Sequence, residues 1–122
     1  MKSDCVEKHR FTRNDRLKGR TEIGIVFARG RKVSCPGAKL FYIDNGLEAT
    51  RIAFTFARNY GNAVERNRSR RLSREAYRLM KMRPRIGLDL VLLVYPDGDS
   101  YAVRVHQLEV LFTKAGLCSD VK

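Results

Sequence analysis

The sequence predicts a single-domain α+β fold, and three observations carry that prediction. A chain of 122 residues with 43% hydrophobic side chains, six Phe and five Tyr can build one core but not two. Its hydrophobic periodicity switches between the helical spacing of 3.6 and the strand spacing of 2. The connections are short and carry Pro, Gly, Asn or Asp where the chain must reverse. Together these give the order αβββαβα, or αββαβα if the first extended piece is not a strand, folded as a small two-layer sandwich.

Residues 1–10 mix both charge signs without an apolar run, so they read as a flexible extension and not as a secretory signal. That points to the cytoplasm. The folded domain spans residues 11–117, with Phe11 as its first anchor, and residues 118–122 form a tail. From Lys18 the pattern is helical: Ile23, Val26 and Phe27 fall at i, i+3 and i+4, and Gly30 follows as a stop. Gly24 costs about 1 kcal/mol relative to Ala inside a helix, so this helix needs packing against a sheet. An extended piece near Lys32–Ser34 and a Cys35-Pro36-Gly37 turn precede a strand over Ala38–Ile43, which Asp44-Asn45-Gly46 closes.

The next strand, Arg51–Ala57, sets Ile52, Phe54 and Phe56 on one face and Arg51, Ala53, Thr55 and Ala57 on the other. The large residues call for a helical cover, while the small ones leave room for a ligand to lie against the sheet. After Asn59-Tyr60-Gly61-Asn62 a helix runs to about Lys81 and ends at Arg83-Pro84. Leu88–Tyr95 is a buried strand and Pro96-Asp97-Gly98-Asp99 a turn. Tyr101–Lys114 is a last amphipathic helix, closed by Gly116, with Leu108, Leu111 and Phe112 on its core side.

Charge narrows the function classes. Lys and Arg number 25 against 13 Asp and Glu, a net charge of +12 with a pI near 10.2. Residues 1–57 hold 12 basic and 6 acidic side chains, residues 58–85 hold 10 and 2, and residues 86–122 hold 3 and 5. A general polycation would not gather its excess in one segment; a docking surface for a polyanion would. The apolar run Leu90–Tyr95 is far short of the roughly 20 residues of a membrane span, so no membrane partner is expected. Cys5, Cys35 and Cys118 are odd in number and lack a C-x-x-C pair, as bystander thiols would be.

Within the basic segment, Arg66, Arg70, Arg74 and Arg78 are successive i, i+4 neighbours, with Asn67, Arg71 and Lys81 in the same sector. Leu72, Ala76, Leu79 and Met80 take the opposite side, with Ser69 and Ser73 small enough for close approach to a sheet. Like charges at i, i+4 repel by a few tenths of a kcal/mol per pair, and only Glu65 and Glu75 offset six arginines. An external polyanion would relieve that cost. Arginine forks bind phosphate bidentately and stack on bases, so the face suits RNA.

The run Gly61-Asn62-Ala63-Val64-Glu65-Arg66-Asn67-Arg68-Ser69-Arg70-Arg71-Leu72-Ser73-Arg74-Glu75-Ala76-Tyr77-Arg78 resembles the RNR signature of the bacterial ribonuclease P protein family. The resemblance extends from Phe11 to Leu117 and takes in Arg16-Leu17-Lys18 and the strand Arg51–Phe56. It implies a fold like the second domain of ribosomal protein S5, with a left-handed βαβ crossover through the arginine helix. It also implies a subunit, one per RNA, that joins a catalytic RNA to remove the 5′ leader of precursor tRNA. The catalytic groups are then on the RNA, with Mg²⁺ bound through it and no cofactor on the protein. By the same resemblance Arg66, Asn67, Arg68, Arg70, Arg71, Arg74 and Arg78 face RNA, and Ile23, Phe27, Phe41, Thr55 and Arg58 form a leader-binding cleft.

The residues fit that division of labour. His9 and His106 are isolated, Asp97 and Asp99 lie in a turn, and neither an H-x-x-x-H pair nor clustered carboxylates occur, so no catalytic or metal site is expected on the chain. Glu75 reads as an ion-pair partner of Arg71 or Arg78. Three positions depart from the family pattern: Ile23 stands where a Phe is usual, Arg70 where Lys is common, and Asn59 where a second Lys often follows Arg58. Two other readings compete, a ribosomal or assembly protein that positions rRNA through the same face, and a self-sufficient nuclease.

Overall fold

The computed structural model describes residues 16–17, 19–80, 84–96 and 100–117. The expectations for the extension 1–10, Phe11, Lys18, the helix end at Lys81 and Arg83, the 97–99 turn, Cys5, His9, Cys118 and the tail lie outside the described residues. The elements are α1 (Arg20–Arg29), β1 (Arg31–Cys35), β2 (Ala38–Asp44), β3 (Arg51–Phe56), α2 (Ala63–Leu79), β4 (Leu88–Val94) and α3 (Tyr101–Ala115). The piece near residues 32–34 is a full strand, because all five residues of β1 pair antiparallel with β2. The order is therefore αβββαβα.

The sheet order is β1-β2-β4-β3. β2 and β4 are antiparallel, whereas β3 and β4 are parallel neighbours joined through α2. Central β4 is buried on nearly every residue, as a strand covered on both faces must be. On one face Leu40, Ile52, Phe54, Leu88, Leu90 and Leu92 meet Ala76, Tyr77 and Met80 of α2 and Leu108, Leu111 and Phe112 of α3. Tyr77 sits between Phe54 and Phe112, with ring centroids 6.4 and 6.3 Å away in edge-on geometry. These two layers are the sandwich.

α1 lies alone on the other face. There Leu17, Ile23 and Val26 pack on Phe41, Ile43, Ala53 and Val91. Strand alternation and register arrange this face in three rows across β2, β4 and β3: Ile43–Asp89–Arg51, Phe41–Val91–Ala53 and Lys39–Leu93–Thr55. The apolar cluster under α1 uses the first two rows, and the third stays half-buried. At the first row Arg51 donates Nε and Nη2 to the two oxygens of Asp89 at 2.9 and 2.8 Å, and it also reaches Glu22 of α1 at 3.6 Å. The charge-assisted Asp89 pair, which raises the Arg51 pKa above its ordinary value chiefly through its hydrogen bond, joins β3 to β4, and the Glu22 contact ties the start of α1 to the sheet.

Two helix ends follow sequence logic by different routes. Gly116 takes a left-handed conformation at φ 68° after α3, the usual C-terminal cap. Gly30 ends α1 with extended backbone instead (φ −75°, ψ 165°). There glycine is needed for closeness, since a Cβ would meet the Val26 carbonyl at 2.5 Å and the Tyr42 carbonyl at 2.8 Å.

Candidate nucleic-acid interface

α2 begins with a capping box. The Asn62 side chain accepts from the Glu65 N–H at 2.9 Å, and Glu65 Oε1 accepts from the Asn62 N–H at 3.2 Å. Its buried stripe is Ser69, Ser73, Ala76 and Tyr77, continued by Met80. Leu79, assigned to the core side from the sequence, is 49% exposed, because Tyr77 occupies the position facing the sheet and rotates Leu79 away. The two serines do more than allow close approach. The guanidinium of Arg104, only 1% exposed, donates to Ser69 Oγ at 3.3 Å, to Ser73 Oγ, and to Gln107 Oε1 at 2.9 Å.

The arginines divide into two groups. Arg66, Arg70, Arg74 and Arg78 are half-buried, whereas Asn67, Arg68 and Arg71 are exposed. The i, i+4 ladder thus follows the flank of the helix, not its crest. Arg66 Nη2 donates to the Arg58 carbonyl at 3.1 Å, bracing the loop before α2, while its Nε is buried without a hydrogen-bond partner. Arg68, which the resemblance sets in the RNA-facing group, is exposed. Arg70 lies 5.1 Å from the Phe56 ring centroid, and its Nη1 donates to Asn67 Oδ1 at 2.9 Å. This contact gives Asn67 a positioning task within the face. Arg78 pairs with Glu75 at 2.6 Å, choosing between the two partners considered; the hydrogen bond holds the Glu75 carboxyl below its ordinary value.

Arg74 shows how concentrated the charge is. Desolvation first, then the charges of Arg16 and Arg70, push its guanidinium below its ordinary value. Arg16 reaches this face because its segment runs parallel along the edge of β3, with Leu17 N–H donating to the Ile52 carbonyl at 3.0 Å. Arg16 was not among the site residues expected from the sequence, since nothing in its local spacing reveals a pairing across to residue 52.

The expected cleft residues all lie on or beside the α1 face. Phe27 of α1, 39% exposed, meets Phe41 of β2 at 4.7 Å between centroids and an interplanar angle of 72°. Beyond them the third row forms an open floor, in which Thr55 donates its hydroxyl to the Leu92 carbonyl at 3.0 Å. Exposed Arg58 stands past the end of β3. Ile23 packs inward with Val26. Sequence reasoning passed over Lys39, whose Nζ lies 5.7 Å from the Tyr95 ring centroid. The signal was present: Lys39 and Phe41 are two apart on one strand and must share a face.

Among the described residues no group of three or more His, Cys, Asp or Glu could hold a metal ion, and no helix is long and apolar enough to cross a membrane. Burial raises the pKa of the Cys35 thiol despite Lys114 and Arg104 nearby, which disfavours a reactive thiolate.

Fold and face together define a class: a small basic α+β protein whose mixed sheet carries an arginine-rich crossover helix on one side and, on the other, a single helix with the Phe27–Phe41 ring pair beside a half-buried row. The family model described as Ribonuclease P matches residues 11–116. The chain is 41% identical over 109 residues to the ribonuclease P protein component of Gluconacetobacter diazotrophicus, covering 86% of this chain and 94% of that one. It is 35% identical over 103 residues to that of Borrelia hermsii, covering 81% and 86%. The chain belongs to the ribonuclease P protein family. Its fold matches the RNase P protein of Staphylococcus aureus with a TM-score of 0.75 at 18% identity, covering 86% of this chain and 98% of that one. The protein from Thermotoga maritima matches at 0.64 and 23%, covering 79% and 94%. A crossover of the opposite hand would not superpose in this way, so the β3–α2–β4 connection has the hand of that fold.

Proposed function

We propose that this chain is the protein subunit of a cytoplasmic ribonucleoprotein that removes the 5′ leader of precursor tRNA, one copy joining one catalytic RNA. The observation that carries the reading is the arginine face of α2. Exposed Arg68 and Arg71 flank a ladder in which Arg66 and Arg70 are held by the Arg58 carbonyl, Phe56 and Asn67. Such preorganised forks lose little entropy on meeting phosphate. The RNA subunit docks on this face, with Arg66, Asn67, Arg68, Arg70, Arg71, Arg74 and Arg78 contributing.

The leader lies in the cleft of Ile23, Phe27, Phe41, Thr55 and Arg58, where Phe27 and Phe41 offer ring faces or edges to unstacked bases. Phosphodiester cleavage belongs to metal ions held by the RNA. The protein contributes affinity and orientation of the substrate. Reconstitution with the cognate catalytic RNA and precursor tRNA at low Mg²⁺ tests this. Cleavage stimulated only when both RNAs and the protein are present is expected, and Arg66→Ala with Arg70→Ala should weaken assembly and lower its salt slope by about 2. Absence of stimulation would favour the ribosomal reading, and cleavage by the protein alone a nuclease.

A further inference from the structure

A second basic site lies away from the arginine helix. α2 packs over β3, whereas a pocket of about 230 Å³ at the β1–β2 side is lined by Arg29, Arg31, Tyr42, Ile43, Asp44 and Arg85. We propose that this pocket binds a phosphate group of an RNA strand, giving the protein an RNA contact independent of α2. The inference rests on the RNA-binding reading above and adds a site to it.

The backbone of each arginine is fixed. Arg29 and Arg31 flank Gly30, where the chain turns so tightly on β2 that a Cβ would sit 2.5 Å from the Val26 carbonyl and 2.8 Å from that of Tyr42. Arg31 then enters the ladder opposite Tyr42. Arg85 is pinned at both ends, its N–H donating to the Leu117 carbonyl at 2.7 Å and its carbonyl accepting from Thr50 Oγ1 at 2.6 Å. Its Nη2 donates to Asp44 Oδ1 at 3.0 Å, which occupies one of five guanidinium donors and holds the fork at the pocket wall. Among the described residues Arg29 and Arg31 have no side-chain hydrogen bond or ion pair.

Charge decides the ligand's sign. Three Arg against one Asp leave the lining two charges positive. Arg29 in the last turn of α1 complements the helix dipole, but that dipole supplies only about half a negative charge and accounts for neither Arg31 nor Arg85. The volume is several times the roughly 30 Å³ a water occupies in the liquid, which admits a phosphate. Two planar forks free to converge match its oxygens bidentately. The phosphate can come from the leader or from the RNA subunit.

The test uses the full chain with Arg29→Gln and Arg31→Gln, both exposed positions, and an equal-charge control with Arg20→Gln and Lys114→Gln. Salt dependence of binding is measured for the catalytic RNA, and for holoenzyme with precursor tRNA carrying a long leader or none. A slope lower by about 1 is expected for the pocket variant. A loss in RNA assembly assigns the phosphate to the RNA subunit, and a loss confined to the long-leader substrate assigns it to the leader. An unchanged slope in every arm, or an equal drop in the control, overturns the proposal. Arg66→Ala with Arg70→Ala, run in parallel, separates the two readings: if it lowers the assembly slope while the pocket variant lowers the slope in no arm, the pocket alone is rejected. If neither pair changes any slope, both are rejected.

Discussion

Arg104 is the residue whose role was least legible in the sequence. In a helical stretch with Leu108, Leu111 and Phe112 on the core side, an arginine one turn earlier reads as surface. It is nevertheless buried at the α2–α3 seam, donating to Ser69, Ser73 and Gln107. The serines in the arginine helix are therefore acceptors for an arginine from another element, and their small size is only part of their use. Hydrogen bonds to a charged group contribute about 1.5–3 kcal/mol each, and a buried partner left unsatisfied adds its desolvation cost. Arg104→Ala, which also opens a cavity, should lower unfolding stability by about 3 kcal/mol in urea denaturation. Ser69→Ala with Ser73→Ala, which leaves the charge buried, should cost at least as much. A loss below 1 kcal/mol in both would mean the seam is held by the neighbouring apolar contacts alone.

At the scale of elements, α2 was the most legible and β1 the least. Six arginines and two glutamates over seventeen residues force an amphipathic helix, and Asn62 with Glu65 marks its start in the sequence. Asn62→Ala removes the acceptor for the Glu65 N–H and should destabilise the protein by about 1 kcal/mol; thermal denaturation without a lower midpoint would show that the Glu65 carboxylate suffices. What periodicity could not supply was the rotation of the helix about its axis. A wheel places the ladder opposite the leucines, but Tyr77 fills the space between Phe54 and Phe112 and turns Leu79 outward. This leaves the ladder along the flank, where Phe56 and the Arg58 carbonyl can hold it. β1 was underestimated for a similar reason: its exposed, weakly alternating residues become a strand only through pairing with β2.

At the scale of the whole molecule, the sheet separates two proposed sites that the sequence interleaves. Arg51–Phe56 sends its large residues toward α2 and α3 and its small ones toward α1, so one strand serves both faces. This much was legible from alternation. The three-row geometry was not, because it depends on register with β2 and β4, and it alone brings Lys39 and Thr55 into one open row beside Phe27 and Phe41. Sites on opposite faces of a rigid sheet, sharing no side chain, should act additively. Phe41→Leu keeps apolar volume against Val91 and Ala53 but removes the ring; Phe41→Ala removes both. With saturating protein, both variants should lower the holoenzyme's preference for precursor over mature tRNA, by a factor of about 5 to 150 if one base–aromatic stack of about 1–3 kcal/mol is lost. Assembly with the catalytic RNA should be unchanged. Combining Phe41→Leu with Arg66→Ala and Arg70→Ala should leave that factor the same once protein concentration restores assembly. An equal loss of affinity for precursor and mature tRNA, or a factor that shrinks when the arginines are removed, would mean that the aromatic wall and the arginine helix serve one continuous surface.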